Sequence, residues 1–456
     1  MAAKEQKSGK KAEPGLRDSP KEEGLERGIE ITRPRGTQDI LPEEQKYWEY
    51  VIETSKTILK GWHFQPIETP MFEEEALFAR AVGEGTDIVN KEMFVLKSRG
   101  RGSAYVLRPE PTAGIVRAYI ENGMRAWPKP VKLFWSGSVF RYDRPQAGRW
   151  RQFHQVDAEV FGSSAPVTDA QVIYVAHLIL QQLGLDQYTV QVNSLGLPTE
   201  RRAYVKILKE HLRRNRTKLS RESKERIAVN PLRVLDSKDE KDQRVINTAP
   251  KLIDHLSEES KRFFNNVLEY LKALEVPYVV TDTLVRGLDY YAHTVFEIVP
   301  NVETESQQVT LIGGGRYDGL VKLLGGKDTP AIGWGMGVER VIDRLKSEGV
   351  ELLPTDKPQV FVAQLGEDAR VEALKLMREL REAEIPFAES IHRDGMQAQL
   401  KAADRLKVAW TLIVGHKEVL DKTVILRNME SGMQEVVPRE RLASELTRRL
   451  SVVSEP

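Results

Sequence analysis

Apolar and polar positions alternate along this chain with two different periods. Between Pro42 and Trp62, the residues Tyr47, Trp48, Val51, Ile52, Ser55, Ile58 and Leu59 recur at helical spacing. That predicts an amphipathic helix ending near Gly61. Strand-like pieces follow: "MFVLKS", "AYVLRP", "VKLFWSGSVFRY", "QFHQVDAEVFG", "YTVQVNSLG", "YVVTDTLV", "YYAHTVFEIV" and "QQVTLIGGG". Hairpin-length gaps separate several of them, so a mainly antiparallel sheet flanked by helices is expected over residues 31–350, an α+β domain. Within it, 197–275 reads as a helical, basic insertion. "SEGVELLPTDKPQ" contains a linker at 351–358. Beyond it, "VFVAQL", a helix around 367–383, "IPFAES", a helix around 395–406, "AWTLIVG" and "TVILRN" alternate strand with helix. This predicts a separate α/β domain over 359–450 with a largely parallel sheet. Residues 1–30 carry almost no large apolar side chains and are expected to be disordered.

Composition narrows the class. With 456 residues, 40% apolar and 30% charged, the chain has the make-up of a soluble globular protein of several domains. No apolar run reaches the ~18–20 residues of a membrane span, and the N-terminus lacks the apolar core of a signal peptide. The absence of cysteine excludes disulfides, thiolate metal sites and a Cys nucleophile, and the eight histidines form no HExxH-like pair. Together these points favour the cytoplasm. Net charge is only +1, but Arg201–Arg233 holds twelve Lys/Arg against three Glu. So one-sided an excess suits either a solvated surface or a nucleic-acid contact.

Candidate chemistry concentrates in "FRYDRPQAGRWRQFHQVDAEVFG" (140–162), which holds Arg141, Arg144, Arg149 and Arg151. Read as a hairpin, its second strand places Arg151, Phe153, Gln155, Asp157 and Glu159 on one face, with His154, Val156, Ala158 and Val160 on the other. A strand face that polar is either solvent-exposed or a site. Arg108, Glu110 and Thr112 share parity in "LRPEPTAG". "LVRGLDYYAHTVFEIV" (284–299), "GGGRYDGL" (313–320) and "AIGWGMGVERVIDRL" (331–345) add an arginine at a turn, a glycine run, and Arg340 near a helix N-terminus, where anions bind well. There is no GxxxxGK[ST] loop, GxGxxG fingerprint or GxSxG elbow.

Taken together and in this order, these segments resemble histidyl-tRNA synthetases. Arg141 and its hairpin resemble motif 2 of class II aminoacyl-tRNA synthetases, "GMGVER" resembles motif 3, and "FQPIETPMF" (64–72), with Pro70, resembles motif 1. "RGTQDILP" (35–42), "PLRVLDSK" (231–238) and "LVRGLDYY" narrow the likeness to that family, over about 31–450. The resemblance implies the class II fold with a C-terminal anticodon-binding domain, and a homodimer through motif 1. It implies ATP-dependent formation of histidyl-adenylate, then transfer of L-histidine to its tRNA. Attack at the α-phosphate builds negative charge there, which fixed cations can stabilise. Arg141 and Arg286 match the catalytic arginines on either side of that phosphate, and Arg340 the arginine near the γ-phosphate. Mg²⁺ would bridge the β- and γ-oxygens. The "GGGR" stretch, with Gly314 and Arg316, and the motif 3 glycines, with Gly335, match the adenosine side.

By the same resemblance Glu110, Thr112 and Gln155 hold the substrate's α-ammonium, while Glu159 and Tyr291, beside Tyr290, read the imidazole. Arg144, Gln146 and Arg149 at the hairpin tip would meet the acceptor end of the tRNA, and the basic insertion would close over it. Pro111 stands where the family most often has glycine, and it removes one backbone N–H from that segment. Two rival classes stand beside this reading: the non-catalytic regulatory paralogue of histidine biosynthesis, and an amino-acid-sensing module. Both would have lost parts of the arginine set that this chain keeps.

Overall fold

The computed structural model describes residues 31–83, 86, 88–97, 104–143, 149–288, 290–301, 310–352 and 357–451. It divides after Val350 into two compact units. The first is built on an eight-stranded sheet, in the order Gln65–Pro66, Val131–Phe140, Gln152–Phe161, Ala331–Gly337, Ile312–Arg316, Ala292–Pro300, Tyr188–Ser194 and Tyr278–Val280. The six central strands are antiparallel to their neighbours, and one parallel strand closes each edge. One face carries helices Pro42–Gly61, Pro166–Gln182, Glu258–Ala273 and Val338–Ser347. Their apolar stripes bury Trp48, Val51, Leu59, Ile173, Phe264 and Ile342 with Val156, Ala158 and Trp334 of the sheet.

Two expected strands are shorter than their sequence suggests. "MFVLKS" contributes only a bridge, Val95 to Val106, after a π-helical turn at Ile88–Glu92. Its apolar Val95 and Leu96 are exposed among the described residues. "YVVTDTLV" leaves the sheet at Thr281, whose carbonyl accepts the Leu284 N–H in a turn.

The helical stretch 197–275 runs between the parallel neighbours Tyr188–Ser194 and Tyr278–Val280. Its last helix, Glu258–Ala273, packs into the sheet's own core. Glu200 fastens the start of the first helix to the start of the last. Its carboxylate accepts the N–H groups of Leu197 and Ser257 and the hydroxyl of Ser260. These bonds outweigh the effect of burial and hold its pKa down to about 2. The positive φ of Gly196 suits the turn just before, where Leu256 lies close enough to crowd any side chain.

The second unit has a five-stranded sheet in the order Phe387–Glu389, Val360–Leu365, Trp410–Gly415, Thr423–Asn428, Gln434–Pro438. Only its first two pairings are parallel; the other two are antiparallel, so the expected largely parallel sheet is mixed. The connections explain it. A parallel return needs about a dozen residues, and 416–422 and 429–433 are both too short.

Candidate active site

In the first unit the sheet face turned away from the four helices forms the floor of a cavity of about 470 Å³. The strand Gln152–Phe161 supplies Phe153, Gln155, Asp157 and Glu159 to it, as period two requires. Arg151 shares their parity but lies outside the cavity, with its guanidinium over the Tyr142 ring. The neighbouring strand Ala331–Gly337 sets Gly333 opposite Glu159, Gly335 opposite Asp157 and Gly337 opposite Gln155. A β-carbon at Gly333 or Gly335 would collide with the facing carboxylate. Glycine at these two positions therefore makes room for the polar row, while Trp334 and Met336 between them fill the core.

Glu159 is 1% exposed. It accepts the Thr112 hydroxyl at 2.8 Å and the phenol of Tyr317. Burial outweighs these two bonds, and its pKa is raised to about 8. Glu110 is likewise buried, and burial raises its pKa. Its two oxygens accept the N–H groups of Thr112 and Ala113, both at 2.9 Å, and so cap the helix Thr112–Glu121. Pro111 occupies the position just before that helix, where an N–H would have no intrahelical partner. The substitution of glycine by proline is thus accommodated by the backbone. Asp157 has its pKa raised well above the carboxylate range, by burial and then by Glu159 and Glu110. Tyr290 and Tyr291 both line the cavity, their ring centroids 4.6 Å apart.

Cations occupy the other side. Arg141 follows the strand Val131–Phe140 and donates from Nε to the Pro109 carbonyl at 2.8 Å; burial lowers its pKa. Arg340, in the first turn of the helix Val338–Ser347, donates to the Thr310 carbonyl at 2.9 Å. Its pKa is pushed down to about 10 by burial, then by Arg141 and Arg149. Two guanidiniums destabilised by burial, one of them also by its cationic neighbours, make a seat for a polyanion. Arg286 is ion-paired with Glu297. Burial works against its charge, but that carboxylate, with Tyr291, raises its pKa overall. Arg226 and Arg233 of the helical stretch also reach the cavity wall.

The structure corrects two expected nucleotide ligands. Arg316 is fully buried behind the sheet, ion-paired with Asp169 and with Asp318. It also donates to the Ser163 carbonyl at 2.9 Å, so its donors are turned away from the cavity. Gly314 faces the Trp334 side as well; Gly313, whose α-carbon adjoins the Arg286 guanidinium, is the cavity-facing glycine. Arg144 and Gln146 lie outside the described residues. Arg149 is exposed at the cavity rim, 3.1 Å from Asp143. Sequence reasoning missed Tyr317, whose only signal was its place directly after the glycine run, and it gave Asp157 no role.

Comparison with known proteins agrees with this arrangement. The histidyl-tRNA synthetase family model matches residues 36–341, and the anticodon binding domain model matches 359–449. The histidine–tRNA ligase of Dehalococcoides mccartyi is 42% identical over 91% of this chain and 99% of its own length. That of Geobacillus thermodenitrificans is also 42% identical, over 91% and 98%. The crystal structure of apo S. aureus histidyl-tRNA synthetase superposes with a TM-score of 0.76 at 34% identity, covering 91% of this chain and 99% of that one. With one model spanning the unit that holds the cavity and identity sustained over nearly the full length, the chain belongs to the histidyl-tRNA synthetase family of class II aminoacyl-tRNA ligases.

Proposed function

We propose that the chain joins L-histidine to tRNA(His) in two steps within this cavity, using ATP. The observation that carries the reading is the division of one cavity into a carboxylate floor and a guanidinium wall. The floor suits an amino acid with an ammonium group and a ring N–H. The wall suits a triphosphate. In the first step a carboxylate oxygen of histidine attacks the α-phosphorus and pyrophosphate leaves. Arg141 and Arg286 meet the charge that develops there, and Arg340 holds the departing end. Glu159, held by the Tyr317 hydroxyl, accepts the imidazole N–H, and Tyr291 presents a hydroxyl to the other ring nitrogen. In the second step a ribose hydroxyl of the terminal adenosine attacks the carbonyl and AMP leaves.

Among the described residues no three His, Asp or Glu side chains converge as metal ligands. Mg²⁺ would be carried by the nucleotide's phosphates, and the steps above are written for protein groups alone. Arg149 at the rim and the basic stretch 201–233 would meet the acceptor stem. The second unit would take the anticodon. A homodimer fits the exposed Met71, Phe72 and Tyr105 around the motif 1 segment. Among the described residues no helix is long and apolar enough to cross a membrane, and we place the enzyme in the cytoplasm. Histidine-dependent exchange between ATP and pyrophosphate tests the reading. A regulatory or sensing protein would bind histidine without exchange, and that result would refute it.

A further inference from the structure

Two arginines of the cavity wall, Arg286 and Arg340, are tied to one uncharged residue, Thr310. Arg286 is ion-paired with one carboxylate oxygen of Glu297, and the other oxygen accepts the Thr310 hydroxyl at 2.8 Å. The Thr310 carbonyl accepts Arg340 Nη1 at 2.9 Å. Thr310 thus holds one arginine through its side chain and the other through its backbone. Its own place is fixed by the next residue, since the Leu311 N–H donates to the Ile298 carbonyl at 2.9 Å.

The neighbouring strand leaves room for this arrangement. Glu297 pairs across the sheet with Gly313. A β-carbon at Gly313 would lie 2.5 Å from Arg286 Nη1 and 2.6 Å from Nη2, so the guanidinium rests over bare backbone. Arg286 Nε is buried with no hydrogen-bond partner among the described residues, which leaves a charged donor for a ligand oxygen. An arginine stem is long and flexible, and aiming it before the substrate arrives removes an ordering cost from the reaction. Glu297 provides the aim, and the Thr310 hydroxyl keeps Glu297 from turning away.

We propose that Thr310 is a positioning residue that couples the two phosphate-facing arginines, Arg286 through Glu297 and Arg340 through its own carbonyl. The assignment rests on the cavity being the site where ATP is attacked. It makes the cation at the α-phosphate and the cation at the departing pyrophosphate one unit, set by a residue that carries no charge.

Histidine-dependent pyrophosphate exchange with the full-length protein tests this. Thr310→Val keeps the shape and the carbonyl and removes the hydroxyl. It should lower kcat roughly tenfold and leave the histidine KM within about twofold. Thr310→Ser, which retains a hydroxyl, should recover most of the rate. A double-mutant cycle reads the coupling: added to Arg286→Ala, Thr310→Val should cost less than about twofold more, because the side chain it aims is gone. A Thr310→Val kcat equal to wild type, a serine protein as slow as the valine one, or the full loss repeated on the Arg286→Ala background each overturns the proposal. Calorimetric titration with L-histidine should give wild-type affinity for the valine protein; an affinity that falls in step with exchange would make Thr310 a structural residue and overturn it too. Thr310→Ala, read by the same cycle, serves if the valine protein does not accumulate. Failure of the underlying reading is seen separately, as wild type without histidine-dependent exchange.

Discussion

Glu159→Gln should disable histidine recognition and at the same time stabilise the empty protein. The glutamate pKa is about 8 in the fold against an ordinary 4.5, because the side chain is buried. At pH 7 the unfolded chain holds this group ionised while the folded chain keeps it mostly protonated. The fold therefore loses about 3 kcal/mol relative to a group that does not titrate. The sign is set by the raised folded pKa. The loss is absent below about pH 4.5, grows by ~1.4 kcal/mol per pH unit up to about 8, and is constant above. Glutamine escapes it. Its amide can still pair with the Thr112 and Tyr317 hydroxyls, each of which can donate or accept. A gain of about 2–3 kcal/mol at pH 7 remains, seen as a rise of a few degrees in the melting midpoint. Melts of the ligand-free proteins at pH 5, 6, 7 and 8 should show the gap widening with pH. Histidine KM in pyrophosphate exchange should rise at least ~10-fold, since the ring N–H draws the bound carboxyl into its ionised form and an amide cannot follow. A gap that is flat across the pH range, or a glutamine protein less stable at pH 8, would refute the reasoning.

Four further outcomes are expected. Arg286→Ala should cost ~3–4 kcal/mol of adenylate formation with the circular dichroism spectrum unchanged, and near-wild-type pyrophosphate exchange would contradict its role. Tyr317→Phe and Tyr291→Phe should each lower kcat/KM for histidine by an amount of order 1–3 kcal/mol with much less effect on ATP; for Tyr317 the cause is the lost donor to Glu159. Replacing the exposed Arg213, Arg214, Arg216 and Lys218 by Gln should weaken tRNA binding and flatten its salt dependence while histidine-dependent exchange stays the same. Arg316→Met should destabilise the fold by about 3–5 kcal/mol by stranding Asp169, with the ATP KM of the folded fraction unaltered; a selective rise in that KM would restore Arg316 as a ligand.

The carboxylate floor could be read from the chain because a strand's two-residue period is local information. Gln155 and Glu159 share a face whatever the sheet does around them. Gly314 and Arg316 were expected at the nucleotide from the family resemblance alone, which carries no strand phase. The phase of the run 313–316 is set by its pairing with Ala331–Gly337, and no residue in the run reports it. The partner that claims Arg316, Asp169, lies 147 positions away on a helix. Nothing near either residue signals that pairing. In the second unit the alternation of strand and helix was visible, but strand direction depends on how many residues each return requires. Tyr317 was hidden for a different reason: a lone tyrosine after glycines resembles any core aromatic until Glu159 is seen beside it.

The Glu200 clamp gives the helical stretch a short closure that sequence length alone would not. Because one carboxylate ties 197 to 257 and 260, the intervening segment is a loop whose ends are already closed. Its opening need not disturb the pairing of Tyr188–Ser194 with Ala292–Pro300, which continues the sheet without it. The segment still shares an apolar cluster with the sheet through Tyr204, Leu208 and Val234, so the clamp lowers the cost of ordering it without detaching it from the core beneath the cavity.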